Sequence, residues 1–286
     1  VFHVTGDTGH EVYAKVVEAV LLGQGTVRAP RGYPTLDLGF TVIEMPAPEQ
    51  MLPLGTRPNI SINLAAVEAI QLIGGFTSME LVKKYAPSLM PFSEEGKHFH
   101  GAYGKRIAGQ VNAQISKLVF DPFTRQAVIT LHDPHLDNNP GKKDYPCTIG
   151  FQLEVRDNKL CWVTFMRSND IHRGLPYDLF QFGQLQMTVA RSLGHDVGSY
   201  THVVTSMHAY ATDTEKLFQV DAKNAREEFQ PHGIGDEAHS WLVMQQIARD
   251  ICFSSSVNSA DLTESEYWYR VRLALLPGII SDMAEA

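Results

Sequence analysis

Between His10 and Leu21 apolar residues recur at helical spacing, and the run stops at Gly23, a residue suited to ending a helix. Residues 24 to 35 gather Gly, Pro and Arg around Arg28 and Arg31, which reads as an ordered loop ahead of the strand-like Leu38-Gly39-Phe40-Thr41-Val42-Ile43. From Asn63 to Ile73 the period is helical again, with Glu68 among apolar neighbours and Gly74-Gly75 at the end. The clearest local signal lies in mid-chain. Cys147 to Glu154 and Leu160 to Phe165 are strand-like and are joined by the polar turn Arg156-Asp157-Asn158-Lys159. This predicts a β-hairpin with Cys147 where it begins and Arg167 where it leaves. Asp178 opens the next periodic run, Leu179 to Leu193, as an acidic residue at a favoured helix start, and Gly194 ends it. Val203-Val204-Thr205 predicts a short strand leading into Met207-His208.

Residues 221 to 286 mix helical patterns around Trp241 to Ile251 with Tyr267-Trp268-Tyr269 and carry no recognisable chemistry. No repeat, low-complexity tract or linker interrupts the pattern, so residues 1–286 read as one α+β domain.

Composition narrows the function classes. The chain has 286 residues, of which 44% are apolar, ample for a buried core. A formal charge of -8 and a pI near 5.8 argue against broad capture of nucleic acid through its phosphates, so any phosphate site is expected to be local. Cys147, Cys161 and Cys252 are odd in number and lack metal-ligand spacing, which suits a reducing cytosol and not a disulfide or zinc framework. No apolar run approaches the roughly 18 to 20 residues that span a bilayer. His98 with His100, and His132 with His135, lack the spacing and carboxylate of a closed metal site, so no metal is expected. No glycine fingerprint for nucleotide phosphates follows a strand.

The informative feature is an ordered constellation. Cys147 stands twenty residues ahead of Arg167-Ser168-Asn169-Asp170, which leads into Gly174-Leu175-Pro176-Tyr177-Asp178, and His208-Ala209-Tyr210 lies thirty residues beyond. In this order and spacing the chain resembles the thymidylate synthase family over roughly residues 24 to 215. The resemblance implies a mixed central sheet flanked by helices, with two sheets packed back to back in a homodimer. It implies a cysteine thiolate that adds to C6 of a pyrimidine nucleoside monophosphate. The addition makes C5 nucleophilic toward 5,10-methylenetetrahydrofolate, a task suited to a soft anion that also leaves easily. Cys147 matches that nucleophile, and Arg167, set nearby by the hairpin, is expected to favour its ionised form.

Other roles carry over by position. Arg167 and Ser168 match the phosphate-binding pair, Arg31 the loop arginine, and Arg125 the arginine that reaches in from the neighbouring subunit, since guanidinium forks suit phosphate. The family commonly has two adjacent arginines at that last position; Gln126 replaces the second, which weakens the grip or moves part of it to Arg28. Glu68 matches a glutamate that orders water and moves protons. Tyr103 matches a tyrosine implicated in removing the C5 proton, and His208 with Tyr210 the pair that binds the sugar 3′-hydroxyl. Asp170 matches the aspartate beside the pyrimidine O2 and the folate, or is equally a turn-capping residue. Asn169 fills a position that varies in the family and joins the substrate-binding set.

Asp178 separates the branches. Thymidylate synthases have asparagine here, whose amide donates to uracil O4 and accepts from N3–H, whereas an ionised carboxylate accepts only. Cytosine's 4-amino group donates to a carboxylate, and a protonated N3 donates to its second oxygen, so the chain resembles the cytidylate 5-hydroxymethylase branch. Thr148 stands where thymidylate synthases follow the nucleophile with histidine, and the tryptophans that shield the methylene intermediate are missing before Tyr103. Water addition and a hydroxymethyl product are therefore expected. CMP and dCMP both remain open as substrates. So do a methylating enzyme acting on dUMP, a silent nucleotide-binding paralogue and, remotely, a cysteine hydrolase. The ending Met283-Ala284-Glu285-Ala286 does not resemble the apolar tail that closes over folate in thymidylate synthases.

Overall fold

The structure, a computed structural model, describes residues 1–48, 51–53, 56–77, 83 and 87–221. The patterns expected around Trp241 to Ile251 and at the chain's end, and Cys252, lie outside the described residues. Among the described residues, eight strands form one mixed sheet: β1 (Phe2–Thr5), β2 (Thr26–Arg28), β3 (Thr35–Met45), β4 (Val128–Thr130), β5 (Thr148–Arg156), β6 (Lys159–Met166), β7 (Asn169–Asp170) and β8 (Asp196–Tyr210). The main path runs β1-β3-β8-β6-β5-β4, with β2 on β3 and β7 on β8. Strands β1 and β3 are parallel, as are β6 and β8, while β3 with β8 and β5 with β6 are antiparallel.

The helices among the described residues are α1 (Gly9–Leu21), α2 (Ile62–Gly74), α3 (Tyr103–Phe120), α4 (Pro134–Asp137), α5 (Leu175–Leu193) and α6 (Thr214–Leu217). Helix α1 starts at Thr8, whose hydroxyl accepts from the Glu11 amide, and α2 ends on Gly75 at φ 78°, the left-handed conformation that glycine tolerates. Helix α5 packs on β6 and β8 and is overlaid by α1, α2 and α3. Trp162, Phe151, Phe180, Phe182, Tyr13 and Tyr200 are fully buried between these layers, and burying a large side chain contributes about 1.5–3 kcal/mol. Along β6 the inward Leu160, Trp162 and Thr164 alternate with the more exposed Cys161, Val163 and Phe165.

The expected α+β domain with a mixed sheet and flanking helices is what the fold shows. The hairpin is also present: Asp157 and Asn158 take φ 49° and 61° between β5 and β6, as a tight two-residue turn requires. Three expectations need correction. The loop at 24 to 35 contains β2 and a 3-10 turn at Pro30–Gly32. The strand expected at Val203–Thr205 is the middle of the 15-residue β8. Helix α5 begins at Leu175, so Asp178 lies within its first turn and Gly174 is the cap.

Helices α2 and α3 meet at Gly104, where a Cβ would lie 2.3 Å from the Gln71 carbonyl and 2.9 Å from that of Leu72. This crossing carries Glu68 and Tyr103 on adjoining helices. We predict that Gly104→Ala forces the helices apart, destabilising the fold by about 1–3 kcal/mol. Thermal unfolding should show a Tm lower by roughly 5 °C, and an unchanged Tm would contradict the crossing.

Candidate active site

Cys147 sits one residue before β5, and its carbonyl accepts from the Arg167 amide at 2.9 Å, which closes the open end of the hairpin. The Arg167 side chain then folds back. Its Nε donates to the Pro146 carbonyl at 3.0 Å, and Nη2 lies 3.3 Å from the Tyr145 carbonyl and 3.6 Å from Cys147 Sγ. The hairpin thus brings the guanidinium to the sulfur as expected. Its charge opposes, without overcoming, the burial that pushes the thiol above its ordinary range. Asp178 and Asp144 push it the same way.

Cys147, Glu68, Tyr103 and Asp178 line one cavity of about 230 Å³, with Leu72, Leu89, Phe92 and Phe99 on its apolar side. Four residues far apart in sequence are therefore brought together. Asp178 is buried, and each of its oxygens has a donor behind it: Asn169 Nδ2 reaches Oδ2 and Gln181 Nε2 reaches Oδ1, both at 3.0 Å. Burial nevertheless raises its pKa to about 7 against these two hydrogen bonds. Glu68 is raised to about 8, first by burial and then by the charge of Asp178. Tyr103 stacks on Phe182 at 6.1 Å, and burial lifts its hydroxyl well above the usual range. Burial thus pushes both carboxyl groups toward their protonated forms, and a protonated Asp178 would offer an O–H as well as acceptor lone pairs.

A second cavity of about 720 Å³ adjoins the first through Tyr145 and Pro146 and is lined by Arg31, Arg167, Ser168, His208 and Tyr210. Arg31 is presented at φ 55° from the 3-10 turn. Ser168 Oγ lies 3.5 Å from His208 Nδ1, and the His208 and Tyr210 rings meet edge-on at 5.2 Å. Arg28 also lines this cavity, 3.7 Å from Asp37, which accepts from Ser206 at 2.9 Å. Asp37 and Ser206 were not marked by the sequence pattern. They face the cavity because Asp37 pairs in register with His208, and Ser206 precedes His208 by two on β8.

Three expected site residues line neither cavity. Arg125, expected to serve a neighbouring copy, is exposed on the turn after α3. Asn169 also lines neither; it lies behind Asp178, 2% exposed, because the short strand β7 passes beneath the start of α5. Asp170 Oδ1 caps the following turn by accepting from the His172 and Arg173 amides, each at 2.7 Å, and its Oδ2 is buried without a hydrogen-bond partner. Leaving such an oxygen unpaired costs about 1–3 kcal/mol. Gln181 went unmarked, although its i+3 spacing from Asp178 on a helix is the signal that finds it.

The raised carboxyl groups give stability a definite pH dependence. Unfolded, Glu68 titrates near 4.5, and in the folded protein near 8, so the folded state binds the extra proton between those values and stability falls as pH rises. Each pH unit in that window is worth at most about 1.4 kcal/mol per proton. Glu68→Gln removes the titration. Thermal melts from pH 5 to pH 8 should show a wild-type Tm that declines with a shallower decline in the variant; equal slopes would contradict the assignment.

Residues 11–250 match the family model described as thymidylate synthase. Relatives include the deoxyuridylate hydroxymethyltransferase of Bacillus phage SP01, 28% identical over 73% of this chain and 59% of that protein. Proteins of the same name from Delftia phage PhiW-14 and Pseudomonas phage M6 are 27% and 30% identical, over 77% and 53% of this chain and 65% and 45% of theirs. The chain thus spans less than two thirds of the length of each of these relatives. With the family model matched along most of the sequence, and the mixed sheet and cysteine hairpin in place, the chain belongs to the thymidylate synthase family.

Proposed function

We propose that the protein transfers a one-carbon unit from 5,10-methylenetetrahydrofolate to C5 of a cytidine monophosphate, CMP or dCMP, and that water completes a 5-hydroxymethyl product. The observation that carries this reading is the Asp178 carboxyl at the floor of the Cys147 cavity, backed by two amide donors. Arg31, Arg167 and Ser168 hold the phosphate, with Arg125 of a second copy completing the site, and His208 with Tyr210 takes the sugar. A homodimer is supported by Phe40, Ile149 and Phe165, sheet residues that remain 45%, 43% and 37% exposed.

The folate, when bound, supplies an electrophilic carbon at the oxidation level of formaldehyde. The apolar side of the cavity formed by Leu72, Leu89, Phe92 and Phe99 fits a flat heteroaromatic ring. Cys147 loses its proton and adds to C6; Arg167 stabilises the thiolate while the pyrimidine covers it. Asp178 accepts from the 4-amino group and shares its proton with N3, which draws electrons from the ring and favours attack at C6. The C5 anion bonds to the incoming carbon. Tyr103, whose raised pKa keeps its own proton in place, would hold the water that carries the C5 proton to the nitrogen of the departing tetrahydrofolate as the bond from that nitrogen to the transferred carbon breaks; Glu68 then orders the water that adds its hydroxide to the exocyclic methylene left at C5 and takes that water's proton. Departure of the Cys147 thiolate restores the 5,6 double bond.

The second reading is hydroxymethylation of deoxyuridylate, favoured by the names of the relatives and by the proton that Asp178 retains near neutral pH. A protonated carboxyl offers a donor to O4 and an acceptor to N3–H. Cytosine gains an arrangement that uracil lacks, since its N3 takes the proton and forms an ion pair with the carboxylate.

Tritium release from C5 of CMP, dCMP, UMP and dUMP, followed by mass analysis of the product, separates the readings. A cytidylate should react at least about tenfold faster in kcat/KM and gain CH2O. Asp178→Asn should reverse the preference toward uracil, and Cys147→Ser should abolish release. A wild-type preference for deoxyuridylate would establish the second reading, and a gain of CH2 would overturn the hydroxymethyl product.

A further inference from the structure

A line of buried polar groups runs away from the cavity behind Asp178, and none of them meets solvent. Asn169 is 2% exposed, and His202, Tyr200 and Thr164 are 0% exposed. Asn169 Nδ2 lies 3.0 Å from Asp178 Oδ2 and 3.1 Å from His202 Nε2. His202 Nδ1 lies 2.9 Å from the Tyr200 hydroxyl, which accepts from Thr164 Oγ1 at 3.1 Å. The groups come from β7, β8 and β6, so neighbouring strands assemble the line, and it meets the cavity at Asp178.

With the Asn169 amide nitrogen turned toward Asp178 and His202, counting hydrogens gives the line a direction. An amide nitrogen has two, and a thioether is the weakest acceptor beside it, although Met166 Sδ is only 2.9 Å away. The two hydrogens of Asn169 therefore go to the Asp178 carboxyl and to His202 Nε2. Nε2 must then be the bare nitrogen, and the ring hydrogen sits on Nδ1, pointing at the Tyr200 oxygen. The opposite tautomer would direct an N–H at an N–H. The ring stacks on Phe182 at 6.4 Å and Tyr200 at 6.0 Å, and burial holds its pKa down to about 3, so it stays neutral.

The amide keeps this orientation against an evident alternative. Asn169 Oδ1 is buried and accepts no hydrogen bond, facing the backbone where a Cβ on Gly174 would lie 3.1 Å away. Turning the amide over would bring its oxygen to His202 and to Asp178, and would set two oxygens against each other unless Asp178 carried the proton between them. Whichever nitrogen of His202 bears the hydrogen decides which orientation is favoured.

We propose that His202 is a positioning residue for base recognition: locked by Tyr200 with its hydrogen on Nδ1, it takes one amide hydrogen of Asn169, so that the other supports the Asp178 carboxyl and leaves the carboxyl's free edge for the base. The proposal rests on the reading of Asp178 as the group that faces the pyrimidine.

The direct test is long-range proton–nitrogen NMR on protein labelled with 15N-histidine, with the His202 signals assigned by their loss in His202→Gln. The Nδ1–H tautomer should be seen unchanged from pH 6 to pH 8; a signal from the Nε2–H tautomer would overturn the lock. Kinetically, Tyr200→Phe removes the acceptor for Nδ1–H without touching the base. It should lower the ratio of kcat/KM for cytidylate over uridylate about tenfold and shift the pH profile of kcat/KM, leaving inorganic phosphate inhibition unchanged. His202→Phe should do the same, and His202→Gln, which restores an acceptor for Asn169, should recover the ratio in part. Should these variants lose only thermal stability and keep both ratio and pH profile, the line is structural and the proposal fails. Asp178→Asn in parallel separates the two levels: an unchanged base ratio there removes the reading of Asp178, and this inference with it, whereas a changed ratio beside unaltered Tyr200→Phe and His202→Phe removes this inference alone.

Discussion

A carboxyl group buried at a cavity of about 230 Å³ that it shares with a thiol is the constraint around which the rest of this molecule is arranged. Water is excluded from Asp178 by the start of α5 and the sheet below it, which makes its ionised form expensive and lifts its pKa to about 7. Two amides, Asn169 from the sheet and Gln181 from the same helix, hold its orientation without fully compensating the lost hydration. The result is a group poised near neutrality. It lies in the same pocket as a thiol that also prefers its proton and a second carboxyl raised to about 8.

That shared preference for protons gives the site its chemical logic. Each group departs from its ordinary range mainly through burial, and in the proposed reaction a bound nucleotide would alter the balance by bringing donors to Asp178 and an electrophilic carbon to Cys147. Arg167 connects the two cavities, contacting the sulfur on one side and lining the proposed phosphate site on the other. In the proposed reaction phosphate binding and thiolate formation would therefore act on one guanidinium. Regular elements present these groups: β5, β6 and β8 carry Cys147, Arg167 and His208 at or next to their ends, and α2 and α3 cross closely at Gly104, bringing Glu68 and Tyr103 to one cavity.

Much of this was legible in the sequence because it rests on local signals. The hairpin that pairs Cys147 with Arg167 follows from two strand-like runs and a polar turn, and α1, α2 and α5 follow from apolar periods ended by glycine. Helix α3 was not marked: only Gly104, Ile107, Val111, Gln114 and Leu118 are buried, a narrow stripe in a run of Lys, Arg, Gln and Asn. The length of β8 was hidden for a related reason, since Ser199, Thr201, His202 and Ser206 interrupt its apolar positions. What no local pattern conveys is the approach of β7 to the first turn of α5. That tertiary contact moves Asn169 out of the substrate-facing set and makes it the support of Asp178. Burial likewise raises the Asp178 pKa to about 7, a shift that residue type alone does not give.

The central claim is that Asp178 faces the amino edge of a cytosine while Cys147 bonds to C6. A crystal structure of the complex trapped with a 5-fluorocytidine monophosphate and 5,10-methylenetetrahydrofolate tests both halves at once. The account predicts a Cys147 Sγ–C6 bond and Asp178 oxygens within about 3 Å of the 4-amino nitrogen and N3. Asp178 turned away from the base, or Cys147 left unbonded and out of reach of the ring, would contradict it.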